Sequence, residues 1–250
     1  MMHRTTLGFA AILGAAAIAL PLASPSAPNP GFVATVESTH PIAYYRLTGS
    51  SGSSEVGTTS YTAAGALTPS SSCAPLSIAG NQCTVLDGKT GYFDTTQMGG
   101  IRGAGSMLAW VNVSVLPSVA GRIVYVAGIS QNGNDFDMQF EPDNMIHFYT
   151  ASGSNVSFAP LAASLAGRWH MIAATFNAVT ARRAIYWDGQ LAKIDHGGGT
   201  PGKNNEFSIG ESKVFTGRFF PVSITDVALW NSELAAPDVW AIYVSRRNAP

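Results

Sequence analysis

The segment Asp137-Met138-Gln139-Phe140-Glu141 is the part of the chain whose residue types and spacing come nearest to chemistry. Side chains of an extended strand alternate between faces, so Asp137, Gln139 and Glu141 share one side while Phe136, Met138 and Phe140 take the other. Pro142-Asp143-Asn144 supplies a turn, and the returning run from Met145 to Thr150 points Ile146 and Phe148 inward and His147 and Tyr149 outward. The outward side of this hairpin gathers Asp137, Gln139, Glu141, His147 and Tyr149. Fixed polar groups beside an aromatic ring are the mixture that sugar recognition uses. The same five residues also suit an ordinary solvated face, because a half-buried antiparallel sheet carries one polar side.

Other chemistry finds less support. The five histidines, His3, His40, His147, His170 and His196, stand singly, with no HExxH pair, and no G-x-S-x-G elbow is present. Gly197-Gly198-Gly199 is followed by Thr200-Pro201 rather than by a P-loop lysine, and reads as a flexible loop. Zinc asks for four ligands, and no Cys or His pair lies at ligand spacing. Cys73 and Cys83 sit in a Ser/Pro/Gly-rich segment and most simply form one disulfide. Asn112-Val113-Ser114 and Asn155-Val156-Ser157 fit the glycosylation pattern in a host that has the machinery.

Strands must position these residues. From Phe32 onward the chain repeats short alternating runs ended by Gly, Asn, Asp or Pro, the signature of an antiparallel all-β domain. Ala184 to Trp187 and Gln190 to Ile194 flank Asp188-Gly189, a dipeptide suited to the positive φ of a two-residue turn. Trp169 to Phe176 is the expected neighbouring strand, and Gly49 to Gly65 reads as loops linking weak strands. Ala235-Ala236-Pro237-Asp238 before Val239 to Val244 has the form of a helix start. The five tryptophans, Trp110, Trp169, Trp187, Trp230 and Trp240, read as core or sheet-edge packing. No repeat of 20 to 50 residues is visible, which disfavours a propeller or solenoid. The fold expected is all-β, an antiparallel two-sheet jelly-roll sandwich with one short C-terminal helix.

Arg4 precedes an apolar stretch from Leu7 to Leu20, and Ala23, Ser24, Ser26 and Ala27 follow where a signal peptidase would cut. Fourteen residues fall short of the roughly 20 that cross a bilayer. Residues 1–27 are therefore expected to be a signal peptide with its cleavage region, and residues 28–250 a single domain. The product would be secreted, extracellular or periplasmic, with no stable membrane insertion. The whole chain of 250 residues carries a formal charge of −1 and has no basic run, which argues against a nucleic-acid partner.

Several segments in order resemble the bacterial laminin-G-like, concanavalin-A-like lectin/glucanase jelly-roll family, with distant similarity to pentraxins. They are His40-Pro41-Ile42-Ala43-Tyr44-Tyr45-Arg46-Leu47, Val85-Leu86-Asp87-Gly88 with Gly91-Tyr92-Phe93, and Met107-Leu108-Ala109-Trp110-Val111. Trp169-His170 through Ala174-Thr175, Ile185-Tyr186-Trp187-Asp188-Gly189, Phe207-Ser208-Ile209-Gly210 and Ile224-Thr225-Asp226-Val227-Ala228-Leu229-Trp230 continue the set. The resemblance implies a non-catalytic, lectin-like module for carbohydrate or a cell-surface ligand, with a protein-binding adhesion module as a further possibility. It also raises calcium, for which Glu211 and Asp226 are the weak candidates. Ser212 and Lys213 interrupt the pentraxin run of acids, and Thr225 replaces the first Asp of a common Ile-Asp-Asp-Val pattern.

The resemblance further implies a glycoside hydrolase as the alternative, since relatives carry a catalytic Glu-x-Asp-x-Glu strand. Asp137 and Glu141 would then serve, Glu141 as acid and Asp137 as base or nucleophile. Yet Asp137 is a methylene short, Gln139 lacks the charge of the middle Asp, and strand positions four apart are separated by about 13 Å. No catalytic role is therefore expected.

Overall fold

The computed structural model describes residues 31–70, 73, 82–96, 101, 103–130, 135–151, 155–197 and 207–247. The expected leader over 1–27 lies outside them, as do Gly198, Gly199 and Thr200. In chain order the elements are α1 (Phe32–Glu37), β1 (Ala43–Tyr45), β2 (Ser51–Ser53), β3 (Ser60–Ala64), β4 (Leu67–Ser70), β5 (Cys83–Asp87), β6 (Tyr92–Thr95) and β7 (Ala104–Val113). There follow α2 (Pro117–Ala120), β8 (Val124–Ile129), β9 (Phe136–Phe140), β10 (Ile146–Thr150), β11 (Asn155–Phe158), α3 (Ala162–Leu165) and β12 (Trp169–Asn177). The chain continues with β13 (Arg182–Trp187), β14 (Gln190–His196), β15 (Ser208–Ile209), β16 (Pro221–Trp230) and α4 (Ala236–Arg247).

The strands form two eight-stranded antiparallel sheets. Sheet A runs β14-β13-β12-β7-β16-β5-β4 with β1 also on β16, and sheet B runs β11-β10-β9-β8-β15-β6-β3-β2. The main core lies between them: Met107, Ala109, Val111, Ile172, Ile185 and Leu229 from sheet A meet Phe93, Val126, Phe136, Met138, Phe140 and Phe148 from sheet B. Phe136 and Phe148 pack edge to face with centroids 5.4 Å apart, a favoured aromatic geometry. The sandwich and its C-terminal helix agree with the sequence expectation.

A second apolar cluster lies on the other face of sheet A, where Tyr44, Leu108, Trp110, Met171, Tyr186 and Trp230 pack against Phe32 and Val36 of α1 and Val239 and Ile242 of α4. The strand pattern expected from Phe32 onward misses α1 and the single turns α2 and α3. Phe32, Thr35 and Val36 are buried at helical spacing, but six residues are too few for that periodicity to stand out from alternation. Among the described residues no helix is long and apolar enough to cross a membrane.

The hairpins match their sequence signals. Asp188 and Gly189 both have positive φ, +51° and +78°, and join β13 to β14 as a two-residue turn. Asn144 takes φ +62° and the Met145 N–H donates to Asp143 Oδ1, closing the turn between β9 and β10. Cys73 and Cys83 form the expected disulfide. Trp110, Trp169 and Trp230 are buried, whereas Trp240 on α4 is 44% exposed and lies outside the core, with its ring beside Tyr243 and the Gly189 turn.

Candidate functional site

The outer face of sheet B carries the polar residues singled out above. Pairing across β10, β9, β8, β15 and β6 aligns Tyr149, Asp137, Gly128, Ser208 and Asp94 in one row. The adjacent row aligns His147, Gln139 and Tyr125. Gly128 at the centre of the first row is a steric necessity, because a Cβ there would lie 2.4 Å from Asp137 Cα and Cβ.

This face is not an ordinary solvated one. Asp137 and Gln139 are each 3% exposed, His147 is 8% exposed, and Tyr125 is fully buried. Tyr149 and Glu141 are half-buried. The segment 211–220 contributes to the cover. Glu211 Oε1 accepts the Gly217 N–H at 2.7 Å, the Arg218 carbonyl accepts the Tyr125 N–H at 2.8 Å, and Arg218 lies over the Phe215 ring at 4.4 Å. Lys213 Nζ sits 2.7 Å from Asp94 Oδ1.

The side chains form a connected network. Arg218 Nη1 donates to Gln139 Oε1 at 2.7 Å, Gln139 Nε2 donates to Glu141 Oε1 at 3.4 Å, and Tyr149 OH donates to the same oxygen at 2.7 Å. His147 stands with Nε2 3.3 Å from Asp143 Oδ2, Nδ1 3.3 Å from Asn155 Oδ1 and its ring roughly parallel to Tyr149. Ser130 Oγ lies 3.2 Å from Asp137 Oδ2 and 3.1 Å from Tyr125 OH. Asp137 Oδ1 has no hydrogen-bond partner among the described residues. Burial first, and then the charge of Asp135, push the Asp137 carboxyl well above the usual carboxylate range, against the pull of Ser130 and Arg218. Burial and then Asp137 likewise raise Tyr125, and burial with the Glu141 hydrogen bond raises Tyr149.

The five residues read from sequence thus come together, with Asp137, Gln139 and Glu141 on one face. Sequence reading missed Asp135, Tyr125, Ser130 and Arg218. Asp135 extends the same alternation by two positions and was visible in principle. Arg218 arrives from 79 residues beyond Gln139, and no local pattern announces it.

The calcium candidates are elsewhere engaged. Asp226 is fully buried at a bulge of β16 with φ +50°, where its carboxylate meets Arg46 Nε at 3.0 Å, Arg246 Nη2 at 2.9 Å and Tyr44 OH at 2.7 Å. Glu211 Oε1 accepts from the backbone of its own loop while Oε2 is buried without a hydrogen-bond partner among the described residues, and burial raises its carboxyl in spite of the N–H groups of Gly217 and Arg218. Among the described residues no three His, Cys, Asp or Glu side chains converge on one point. A cation that needs 6 to 8 oxygens does not fit these donors. His170 is likewise structural, with Nδ1 2.9 Å from Asp188 Oδ2 and Nε2 2.8 Å from the Ser164 carbonyl oxygen.

Comparison with known proteins gives a consistent picture of the fold. The chain is similar to the receptor-binding domain of a botulinum neurotoxin C/D mosaic serotype, at 12% identity and TM-score 0.64, covering 82% of this chain and 51% of that one. It is similar to the botulinum neurotoxin serotype G binding domain, at 13% identity and TM-score 0.64 with 82% and 51% covered. It is also similar to the binding domain of botulinum neurotoxin DC in complex with rat synaptotagmin II, at 11% identity and TM-score 0.64 with 84% and 52% covered. The chain spans about half the length of these domains, and at such identities the likeness is one of fold. No curated protein matches the sequence. A laminin G family model, described as the concanavalin A-like lectin/glucanases superfamily, matches residues 87–240, more than half of the chain, and the protein belongs to that superfamily.

Proposed function

We propose that the protein is a secreted, non-catalytic binding module that recognises carbohydrate or a cell-surface glycan on the outer face of sheet B, through Asp137, Gln139, Glu141, His147 and Tyr149. The observation that carries this reading is the network itself. Arg218, Gln139, Glu141 and Tyr149 are joined by hydrogen bonds and largely withdrawn from water, while Asp137 keeps a buried oxygen without a partner. Holding a polar group this way costs stability, and such costs concentrate at binding sites. Similarity to receptor-binding domains supports a binding role, and the disulfide suits an oxidising compartment.

The glycosidase alternative retains one favouring observation, a buried carboxyl at Asp137, raised above the usual carboxylate range by burial and by Asp135, on the same face as Glu141.

The test is a glycan array on the mature chain, run with calcium and then chelator, with reducing-end release followed in parallel. Retention without release, lost in Tyr149→Ala, is the expected result. Release abolished by Glu141→Gln with retention intact would replace the binding reading with the enzyme. Neither retention nor release would move the protein to a structural or protein-binding role.

A further inference from the structure

The four edges of the two sheets are not alike. β4 carries Pro69, which has no N–H to offer, and leads towards the Cys73–Cys83 disulfide. β2 is three residues long, and β11 is buried or half-buried throughout. β14 is seven residues long with five of them exposed, and no strand lies on its outer side among the described residues. On it Leu191 and Ile194 are 49% and 40% exposed. In register with Tyr186 and Ala184 of the second apolar cluster, they face the side of sheet A that carries α4 and the exposed Trp240.

The alternation of the ladder fixes what this edge offers. The Gly197 N–H donates to the Ala181 carbonyl, so Asp195 and Lys193 also turn their backbone groups to β13, while those of Ile194 and His196 point away from the sheet. Lys193 and Asp195 share the face opposite Ile194. Lys193 is exposed and has no ion pair among the described residues, and Asp195 stays 34% exposed beyond its pairing with Arg183.

We propose that β14 pairs with β14 of a second copy of this chain, antiparallel and centred on Ile194, so that two A sheets become one. Ile194 of each copy exchanges both backbone bonds with its counterpart, and Lys193 of each copy stands opposite Asp195 of the other at the closer, non-hydrogen-bonded positions. Centring the pair on Lys193 or on Asp195 would oppose like charges instead, so charge selects the register. Leu191, Ile194 and Trp240 continue as an apolar strip across the seam. The two-fold axis stands perpendicular to the joined sheet, which leaves both B sheets on one side with their outer faces directed the same way, an arrangement suited to engaging one surface twice.

Sedimentation equilibrium of the mature chain from low to high micromolar concentration tests this. A reversible rise from the mass of one chain to that of two is expected, with the Ile194 and His196 amides protected from hydrogen exchange in the dimer alone. Ile194→Lys puts two like charges at the centre and Lys193→Glu sets acid against acid. Each should weaken association roughly tenfold or more, and both positions are exposed in the single chain, so the fold is retained. Val179→Lys, at a 93% exposed position between β12 and β13, should leave association unchanged.

The mass of one chain at every concentration overturns the proposal. With the β14 amides in fast exchange, that result leaves the edge to an extended segment of another protein; with them protected, it means that another part of this chain covers it. A dimer unaffected by Ile194→Lys and Lys193→Glu, or weakened equally by Val179→Lys, places the contact elsewhere and overturns it too. Mass growing beyond two chains overturns the closed pair.

Discussion

Arg218 Nη1 donates to Gln139 Oε1 at 2.7 Å across 79 residues of sequence, so the loop after β15 and the strand β9 present one surface. The guanidinium lies over Phe215 at 4.4 Å and is held in place before any ligand arrives. Arg218→Met is expected to leave the Gln139 oxygen without its donor and to free the loop. A loss of about 1–2 kcal/mol in stability follows from one charged hydrogen bond, and glycan retention should fall by more than stability does. Chemical denaturation and array binding on the same preparation measure both. Unchanged retention would separate the loop from the site.

Asp137 provides a pH signature. Its folded-state pKa is raised by burial and by Asp135, so the folded chain holds a proton that the unfolded chain releases above about pH 4. Stability contributed by this group therefore falls as pH rises from that value towards the raised one. Tyr125, Tyr149, Glu141 and Arg218 face the same carboxyl and remain constant between variants. Asp137→Asn removes the slope, and its melting temperature should change less than that of the parent between pH 4 and 7. Parallel curves for the two proteins would refute the assignment.

Asp226 joins three segments of the chain, the one after β1, strand β16 and helix α4. Arg46 follows β1, Arg246 lies on α4, and both engage a carboxylate on β16 with Tyr44 on its Oδ1. Arg246 and Asp226 are almost wholly buried, so removal of the acid strands a guanidinium in the interior. Asp226→Asn is expected to cost about 3–5 kcal/mol. Hydrogen exchange should show protection lost first in α4 and β1, and uniform loss across both sheets would contradict this picture.

Calcium should have little effect on the protein. Asp226 is occupied by two arginines, and among the described residues no group of three His, Cys, Asp or Glu side chains forms around Glu211, so neither carboxylate gathers the oxygens a cation needs. Thermal melting in millimolar calcium and in chelator is expected to coincide. A rise in melting temperature on calcium addition would require a site outside these residues.

The sequence by itself determined the sandwich, because alternation and turn residues act locally. Met138 and Phe140 had to face the core once Asp137, Gln139 and Glu141 faced away, and Asp188-Gly189 admitted the positive φ of a two-residue turn. It also determined which five residues share the face of the first hairpin. Tertiary structure alone decided that the face is withdrawn from water, since the segment bearing Lys213, Phe215 and Arg218 joins it from far along the chain. It decided as well that Asp226 meets arginines rather than a cation, with partners 180 residues away on one side and 20 on the other. Periodicity reports which side of a strand a residue occupies, whereas burial and charge pairing depend on what distant segments bring to that side.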